Sequence, residues 1–160
     1  GQALNQETVE RIYKVRRRSL DKPLIILISS LNDLTLFGIE LSQLDKDFLN
    51  QYWPGALSVI LPCNLAELAY LHRGTNSLAF RYPDNEELLE VLKETGPLVA
   101  PSANPEGDKP ADNPEEAKNY FGDQIDFYYG AGDLTGSPST LIKLINGQVE
   151  ILRQGELQIK

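Results

Sequence analysis

The residues best suited to chemistry include arginines at the ends of predicted elements. Arg16 and Arg18 belong to a run of three arginines placed where a helix should end. Two guanidiniums at positions i and i+2 could grip a polyphosphate from two directions. A solvated basic patch that complements the helix dipole explains the same run equally well. Spacing alone leaves both interpretations open.

A second chemical feature is a polar turn within 97–105, where a short apolar run is followed by a hydroxyl and a carboxamide between prolines. Proline restricts its own backbone and that of the preceding residue, so Ser102 and Asn104 should be held in fixed positions. Open α/β sheets bind ligands at the carboxyl ends of their strands, where such a turn would lie. Taken alone, the turn favours the simpler interpretation of an ordinary Asn/Ser/Pro turn.

Two further arginines follow predicted strands. Arg81 ends the run Ser77–Arg81, and Arg153 follows the last strand, before Gln154-Gly155. Arginine suits two-point recognition of carboxylates, so each side chain could clamp an anion. Exposure at a strand tip is the simpler alternative for each one. Taken with the polar turn, these arginines are more than a solvated surface usually needs.

The sequence also argues against several kinds of site. His72 is the only histidine and Cys63 the only cysteine, which disfavours a zinc site and an internal disulfide. Neither a P-loop nor a dinucleotide-binding glycine pattern occurs, and no serine lies in a nucleophile elbow. A nucleotide would therefore need another arrangement. The net charge of −8 argues against non-specific wrapping of nucleic acid.

Length and composition predict one globular domain over residues 1–160. A single cysteine fits a reducing compartment, and neither a signal peptide nor a membrane-spanning run is visible, so we expect a cytoplasmic protein. The chain contains no methionine and starts at Gly1, almost directly before a helical pattern. We therefore expect a domain that is truncated at its N-terminus.

The apolar spacing predicts an alternation of helices and strands that ends in a hairpin. The predicted helices are 5–16, 44–52, 84–95 and one opening at Asn113-Pro114; the strands are 24–28, 56–61, 77–82, 97–100 and 125–129; the hairpin pairs 139–145 with 148–152 around Asn146-Gly147. Asn5 is a candidate cap of helix 5–16, and Asp84 is the predicted cap of helix 84–95, with Glu87 completing a capping box and Gly96 ending that helix. This order indicates a three-layer α/β (α+β) domain with a mixed sheet.

In their order along the chain, these segments resemble the YrdC-type family of threonylcarbamoyl-AMP synthases. The matching stretches are Val9–Tyr13, Arg16-x-Arg18, Lys22–Ile25, Trp53-Pro54-Gly55, Leu78–Asp84, Pro97–Pro105, Pro138-Ser139-Thr140 and Leu152–Gly155. The family's hallmark is Lys-x-Arg followed much later by Ser-x-Asn, here Ser102-Ala103-Asn104. Without gaps the first half falls on Arg16-Arg17-Arg18, with arginine for lysine. Lys14-Val15-Arg16 keeps the letters but needs a two-residue insertion before Lys22-Pro23.

The resemblance implies a YrdC-like three-layer domain, with a twisted mixed sheet flanked by helices. It also implies synthesis of L-threonylcarbamoyladenylate and pyrophosphate from L-threonine, bicarbonate and ATP, for the threonylcarbamoyladenosine of tRNA. Under this resemblance Arg16 and Arg18 are catalytic, ATP is bound by Arg16, Arg18, Ser77, Ser102, Asn104 and Arg153, and threonine is bound by Arg81, Ala100 and Ser139. Mg²⁺ would accompany ATP, with no metal site on the protein itself. The tRNA threonylcarbamoyl transferase complex and tRNA are the candidate macromolecular partners.

The chain departs from the family at its start. Family members carry an earlier strand and a Pro-Thr-x-Thr-x-Tyr-Gly-Leu segment that helps to bind threonine, and Gly1 matches the end of that segment. We expect the chain alone to be impaired in catalysis, since a sheet that lacks a buried strand exposes unpaired edges. The alternative function is an RNA-binding or assembly module with the same fold and no synthase activity, which the acidic balance disfavours.

Overall fold

The computed structural model describes residues 1–130 and 137–159. Six strands form one mixed sheet: β1 (Ile25–Leu27), β2 (Leu57–Pro62), β3 (Ser77–Arg81), β4 (Leu98–Val99), β5 (Thr140–Ile145) and β6 (Gln148–Arg153). Their order across the sheet is β4-β1-β3-β2-β5-β6. The pairs β1–β3 and β2–β5 are parallel, and the other three pairs are antiparallel. The predicted mixed sheet is confirmed.

Side chains on the two faces of the sheet differ in how deeply they are buried, and successive side chains along each strand alternate between these faces. On β3, Leu78 and Phe80 are fully buried, whereas Ser77, Ala79 and Arg81 are only partly buried. β1 has the same alternation: only its central residue is fully buried, although the aliphatic run predicted cover on both faces. One face therefore carries the core, and the other presents polar groups from β3 to a more open space.

In the part of the chain that the structure describes, five helices and three short 3₁₀ segments surround the sheet. The helices are α1 (Gln6–Val15), α2 (Gln43–Leu49), α3 (Ala69–His72), α4 (Glu86–Thr95) and α5 (Pro114–Phe121); the 3₁₀ segments are Leu31–Phe37, Ala66–Leu68 and Gly122–Gln124. Val9 and Tyr13 of α1 and Leu49 of α2 belong to the core cluster. Phe37 packs edge-on against Phe80 of β3, with ring centroids 5.0 Å apart. No helix in the described residues is long and apolar enough to cross a membrane.

The first three residues lie along the outer edge of β4. The Gly1 amine donates to the Val99 carbonyl at 3.2 Å, and the Val99 N–H donates back to Gly1 at 2.9 Å. Ala3 donates to the Pro97 carbonyl at 2.8 Å, and Gln2 forms a bridge with Leu98. The outer edge of β4 is therefore hydrogen-bonded to the first residues of the chain.

Local geometry confirms three predictions: the turn of the hairpin, the cap of α1 and the end of α4. Asn146 and Gly147 both have positive φ, 49° and 77°, as the two central residues of a tight β5–β6 turn require. Asn5 caps α1 by accepting a hydrogen bond from the Thr8 N–H at 2.9 Å. Gly96, with φ 75°, ends α4 as predicted.

The structure corrects the cap of α4. The helix begins at Glu86, so the cap is Asn85 and not Asp84. Asn85 has an extended backbone, and its side-chain oxygen accepts a hydrogen bond from the Leu88 N–H at 2.8 Å. Leu88 then occupies the third helical position, so Glu87 cannot complete a capping box.

This correction gives a prediction about stability. We expect Asn85→Ala to lower the free energy of unfolding by about 1 kcal/mol, because the Leu88 N–H loses its partner. Asp84→Ala is the matched control and should change it by less than about 0.5 kcal/mol. Urea unfolding followed by circular dichroism measures both. A larger loss for Asp84→Ala would return the cap to that residue.

The predicted strand 125–129 is wrong. This segment has no sheet partner, and its side chains Phe127 and Tyr129 are each 79% exposed. Arg11 of α1 holds the start of the segment by donating to the Gln124 carbonyl and the Asp126 carboxylate, at 2.7 and 3.0 Å. The start of the segment is therefore held beside α1, while Phe127 and Tyr129 remain mostly exposed.

Candidate active site

The end of α1 is joined to the turn after β4 by one buried arginine. Arg16, the C-terminal cap residue of α1, is 5% exposed. Its Nε donates to the Asn104 carbonyl at 2.9 Å, and its Nη2 donates to Asn104 Oδ1 at 3.1 Å and to Ser102 Oγ at 3.2 Å. The structure therefore brings together three of the predicted site residues across 86 and 88 positions of sequence.

Asn104 is committed to this arrangement. Its side-chain N–H₂ group donates to the carbonyls of Pro105 and Asp108, both at 2.8 Å, while its carboxamide oxygen accepts from Arg16. Both amide hydrogens are thus used within the protein. Asn104 fixes the loop and the guanidinium of Arg16, so its part in the site is to position that guanidinium.

One end of the Arg16 guanidinium is free. Its Nη1 is buried and has no hydrogen-bond partner among the described residues. Burial, with the nearby charge of Arg18 second, lowers the pKa of Arg16 below its ordinary value. A buried cation with an unused donor and no carboxylate in contact is costly unless an anion completes it. This end of α1 is therefore suited to bind an anion.

Arg18, the last residue of the basic run, is also held in place. Arg18 donates from Nε to the Lys22 carbonyl at 3.1 Å and from Nη2 to the Pro23 carbonyl at 3.3 Å. The Glu106 carboxylate accepts from the Ser19 N–H and from Lys22 Nζ, and the Lys22 hydrogen bond is the main cause of the lowered pKa of Glu106. The loops at 16–22 and 104–106 are thereby tied to each other.

A mainly apolar cavity of about 790 Å³ adjoins this cluster. Arg16, Ser102 and Ala100 line it together with apolar side chains of α1, α4 and α5 such as Ile12, Val91 and Phe121. Ala100 follows β4, where its N–H donates to the Ile25 carbonyl at 3.0 Å. The predicted residues Ala100 and Ser102 thus lie on the wall of one cavity.

The remaining predicted residues are brought together elsewhere, on the more open face of the sheet. Arg81 is half-buried at the end of β3, and its Nε donates to the Gly55 carbonyl at 3.3 Å. Burial lowers the pKa of Arg81. Gly55 is held in turn by its own N–H, which donates to the Tyr82 carbonyl at 2.8 Å. The Trp53-Pro54-Gly55 segment therefore orients Arg81.

Ser139 and Arg153 lie in contact. Arg153 donates from Nη2 and Nε to the Ser139 carbonyl at 2.9 and 3.3 Å. Gly155 packs so closely on this segment that a Cβ there would lie 2.2 Å from the Pro138 oxygen and 2.6 Å from the Ser139 oxygen. Only glycine fits at this position, which explains the last residue of the Arg153-Gln154-Gly155 sequence.

Strand register relates Arg81 to Arg153. Arg81 is opposite Ser58 on β2, Ser58 is opposite Leu141 on β5, and Leu141 is opposite Arg153 on β6. Directly opposed residues share a face, so Arg81, Ser58 and Leu141 belong to one row; a register shift between Leu141 and Ile142 then brings Arg153 opposite Leu141, roughly 14 Å from Arg81 over three strand spacings. Ser77, at the start of β3, lies on the same face as Arg81, and its hydroxyl donates to Thr75 Oγ1 at 3.3 Å.

The predicted residues thus form two clusters. No hydrogen bond or ion pair of the described residues joins the cluster at Arg16 to the one at Arg81 and Ser139. Sequence reasoning missed Ser58, whose hydroxyl lies 2.8 Å from that of Ser139. The available signal was a lone hydroxyl inside the otherwise apolar strand 56–61.

Comparison with known proteins finds relatives that match nearly the whole chain. The model of the Sua5/YciO/YrdC family, described as "Telomere recombination", matches residues 1–155. A threonylcarbamoyl-AMP synthase of Marinobacter nauticus is 31% identical over 147 residues, which cover 90% of this chain and 77% of that protein. One of Bacillus subtilis is 30% identical over 161 residues, covering 96% of this chain and 45% of that protein.

A solved structure shows that the fold is similar as well as the sequence. The crystal structure of Pyrococcus abyssi Sua5 complexed with L-threonine superimposes with a TM-score of 0.87 at 29% identity, covering 97% of this chain and 46% of that one. The chain spans about half the length of the Pyrococcus and Bacillus relatives. A family model that matches 155 of the 160 residues decides the assignment. The chain belongs to the Sua5/YciO/YrdC family.

Proposed function

We propose that this chain forms the synthase domain of a cytoplasmic enzyme that makes L-threonylcarbamoyl-AMP and pyrophosphate from L-threonine, bicarbonate and ATP. The observation that carries the proposal is the buried guanidinium of Arg16, whose Nη1 has no hydrogen-bond partner among the described residues and which lines a cavity of about 790 Å³ together with Ser102. The names of the relatives and the threonine complex of the Pyrococcus protein support it.

The phosphates of ATP are assigned to the cluster at the end of α1. Arg16 offers Nη1, and Arg18 is held nearby on backbone carbonyls. Because Asn104 and the Glu106 contacts fix this segment before any ligand arrives, little reorganisation is needed when negative charge develops. Ser102, Ser77 and Arg153 are the further nucleotide contacts in this proposal.

Mg²⁺ would enter with ATP. No group of three or more His, Cys, Asp or Glu side chains that could hold a metal occurs among the described residues. The ion would therefore be carried by the phosphates, where it neutralises charge on the leaving pyrophosphate.

L-Threonine is assigned to the open face of the sheet. Arg81 is half-buried, lacks a carboxylate in hydrogen-bonding contact among the described residues, and is aimed by Gly55, so it suits a carboxylate ligand. Ser139 is assigned to the same pocket, whereas Ala100, the third proposed threonine contact, lines the cavity beside Arg16 and would meet the ligand from that side. The proposal requires the ligands to bridge the two clusters, which the protein alone does not connect.

The chemistry needs charge control more than proton transfer. The amine of L-threonine and bicarbonate form a carbamate with loss of water. An oxygen of this carbamate attacks the α-phosphorus of ATP, a new O–P bond forms, and the bond to pyrophosphate breaks. Nucleophile and electrophile are both anionic, so arginines that neutralise each of them and hold them in line supply the rate enhancement. The product would pass to the tRNA threonylcarbamoyl transferase complex or to tRNA.

The test is pyrophosphate release by the complete gene product that contains these residues. We expect release that requires ATP, L-threonine and bicarbonate together, and that stops when any one is omitted. Release that is independent of threonine would contradict the proposal. Tight tRNA binding without any pyrophosphate release would favour the RNA-binding alternative.

A further inference from the structure

The hydroxyls of Ser58 and Ser139 form an isolated pair beneath the proposed threonine pocket. Ser58 is 0% exposed and Ser139 is 5% exposed. Their oxygen atoms are 2.8 Å apart, and either could be the donor on distance alone. Among the described residues, neither hydroxyl has another hydrogen-bond partner.

Burial decides the direction of this hydrogen bond. Each serine has one hydroxyl hydrogen, so the pair uses one and leaves the other for a further acceptor. If Ser139 donated, the hydrogen of the fully buried Ser58 would remain without a partner, at a cost of about 1–3 kcal/mol. If Ser58 donates, the spare hydrogen belongs to Ser139, which is the less buried of the two.

Position on the sheet places Ser139 and Arg81 on either side of Ser58, two strand spacings or about 10 Å apart. Ser58 is directly opposite Arg81 in the β2–β3 register, and Ser139 precedes β5, the strand on the other side of β2. Ser139 is itself fixed through its carbonyl by Arg153. A ligand whose carboxylate is held by Arg81 can therefore extend across Ser58 toward the Ser139 hydroxyl.

We propose that Ser58 is a positioning residue that donates to Ser139 and thereby sets the Ser139 hydroxyl as a hydrogen-bond donor to L-threonine. Ser58 does not touch the ligand and acts through Ser139. This inference rests on the proposed function, because it takes L-threonine as the ligand of the Arg81–Ser139 pocket. It goes further in assigning the direction of the bond and a role to a residue inside the sheet.

The first experiment compares Ser58→Ala with Ser58→Thr by calorimetric titration of the complete gene product with L-threonine and, separately, with a non-hydrolysable ATP analogue. We expect Ser58→Ala to weaken L-threonine binding about tenfold, because Ser139 loses the donor that orients it. Affinity for the ATP analogue should stay within about twofold. Ser58→Thr keeps the hydroxyl and should retain most of the threonine affinity.

The second experiment is a double-mutant cycle with Ser139→Ala. If Ser58 acts only through Ser139, adding Ser58→Ala to Ser139→Ala should weaken threonine binding no further. Ser42→Ala is the matched control, since Ser42 is a hydroxyl bonded to Asp45 at the start of α2. It should lower the melting temperature without changing threonine affinity.

The outcomes separate this inference from the function it rests on. Absence of L-threonine binding by the unmodified protein overturns the proposed function, and this inference with it. Threonine binding that Ser58→Ala leaves unchanged, weakens as much as ATP binding, or weakens equally in the Ser139→Ala background overturns the positioning role alone. Should Ser58→Ala fail to fold, Ser58→Cys, with a weaker donor of similar size, should give an intermediate loss.

Discussion

Arg16→Ala is expected to weaken ATP binding about a hundredfold, because two charge-assisted hydrogen bonds of about 1.5 kcal/mol each are lost. The free energy of unfolding should fall by a smaller amount, about 1–2 kcal/mol. Three hydrogen bonds to Ser102 and Asn104 disappear. Their loss is partly offset because a cation buried without a carboxylate is removed as well.

Titration with a non-hydrolysable ATP analogue and urea unfolding measure the two effects separately. Arg17→Ala is the matched control, since Arg17 is the exposed neighbour in the same run and has no ion pair among the described residues. It should leave affinity within about threefold. Equal losses of affinity for Arg16→Ala and Arg17→Ala would reduce the run to a solvated basic patch.

Arg81→Ala is the second substitution with a large expected effect. L-Threonine affinity should fall about a hundredfold, since a two-point contact between a partly desolvated guanidinium and a carboxylate is lost. Affinity for the ATP analogue should change less than about threefold, because Arg81 is not among the residues assigned to the nucleotide. The same titrations, with Arg17→Ala again as the control, measure both values.

Equal loss of threonine and ATP affinity in Arg81→Ala would contradict the assignment of Arg81 to L-threonine. Arg81→Lys sharpens the test, because lysine keeps the charge but presents a compact ammonium instead of a planar fork. We expect it to recover only part of the threonine affinity. Full recovery would show that charge alone matters at this position.

Much of the fold could be predicted from local chemistry. The Asn146-Gly147 turn and the Gly96 helix end depend on positive φ, which few residues favour, and the Asn5 cap depends on a side-chain oxygen that accepts from the Thr8 N–H. All three are confirmed. The strand over 125–129 was wrong because alternation reports a preference and not the presence of a free edge. Arg11 instead draws that segment to α1.

The site was predictable only in part. The order of the segments indicated that Arg16 and Ser102-Ala103-Asn104 belong together, and their contacts confirm the proximity. Arg16 belongs to the Lys-x-Arg motif in both possible alignments, Arg16-Arg17-Arg18 and Lys14-Val15-Arg16, so its contacts do not depend on which alignment is correct. Which ligand each residue binds, the single domain over 1–160 and the truncated start stay predictions.

The roles of supporting residues could not be predicted, because they depend on hydrogen bonds between distant parts of the chain. The resemblance implied an ATP contact for Asn104, which stays a prediction; the structure adds that both of its amide hydrogens are used within its own loop. Gly55 gave no chemical signal, although its carbonyl aims Arg81. For Ser58 the sequence offered only a lone hydroxyl in an apolar run, and the strand register then placed it between Arg81 and Leu141.

The most direct test of the central claim follows atoms from substrates to product. The complete gene product is incubated with ¹⁴C-bicarbonate, L-threonine and ATP labelled with ³²P at the α-phosphate, and the products are separated by chromatography. We predict one product that carries both labels, forms only with L-threonine, and is lost in Arg16→Ala. Pyrophosphate release with no doubly labelled product would contradict the account.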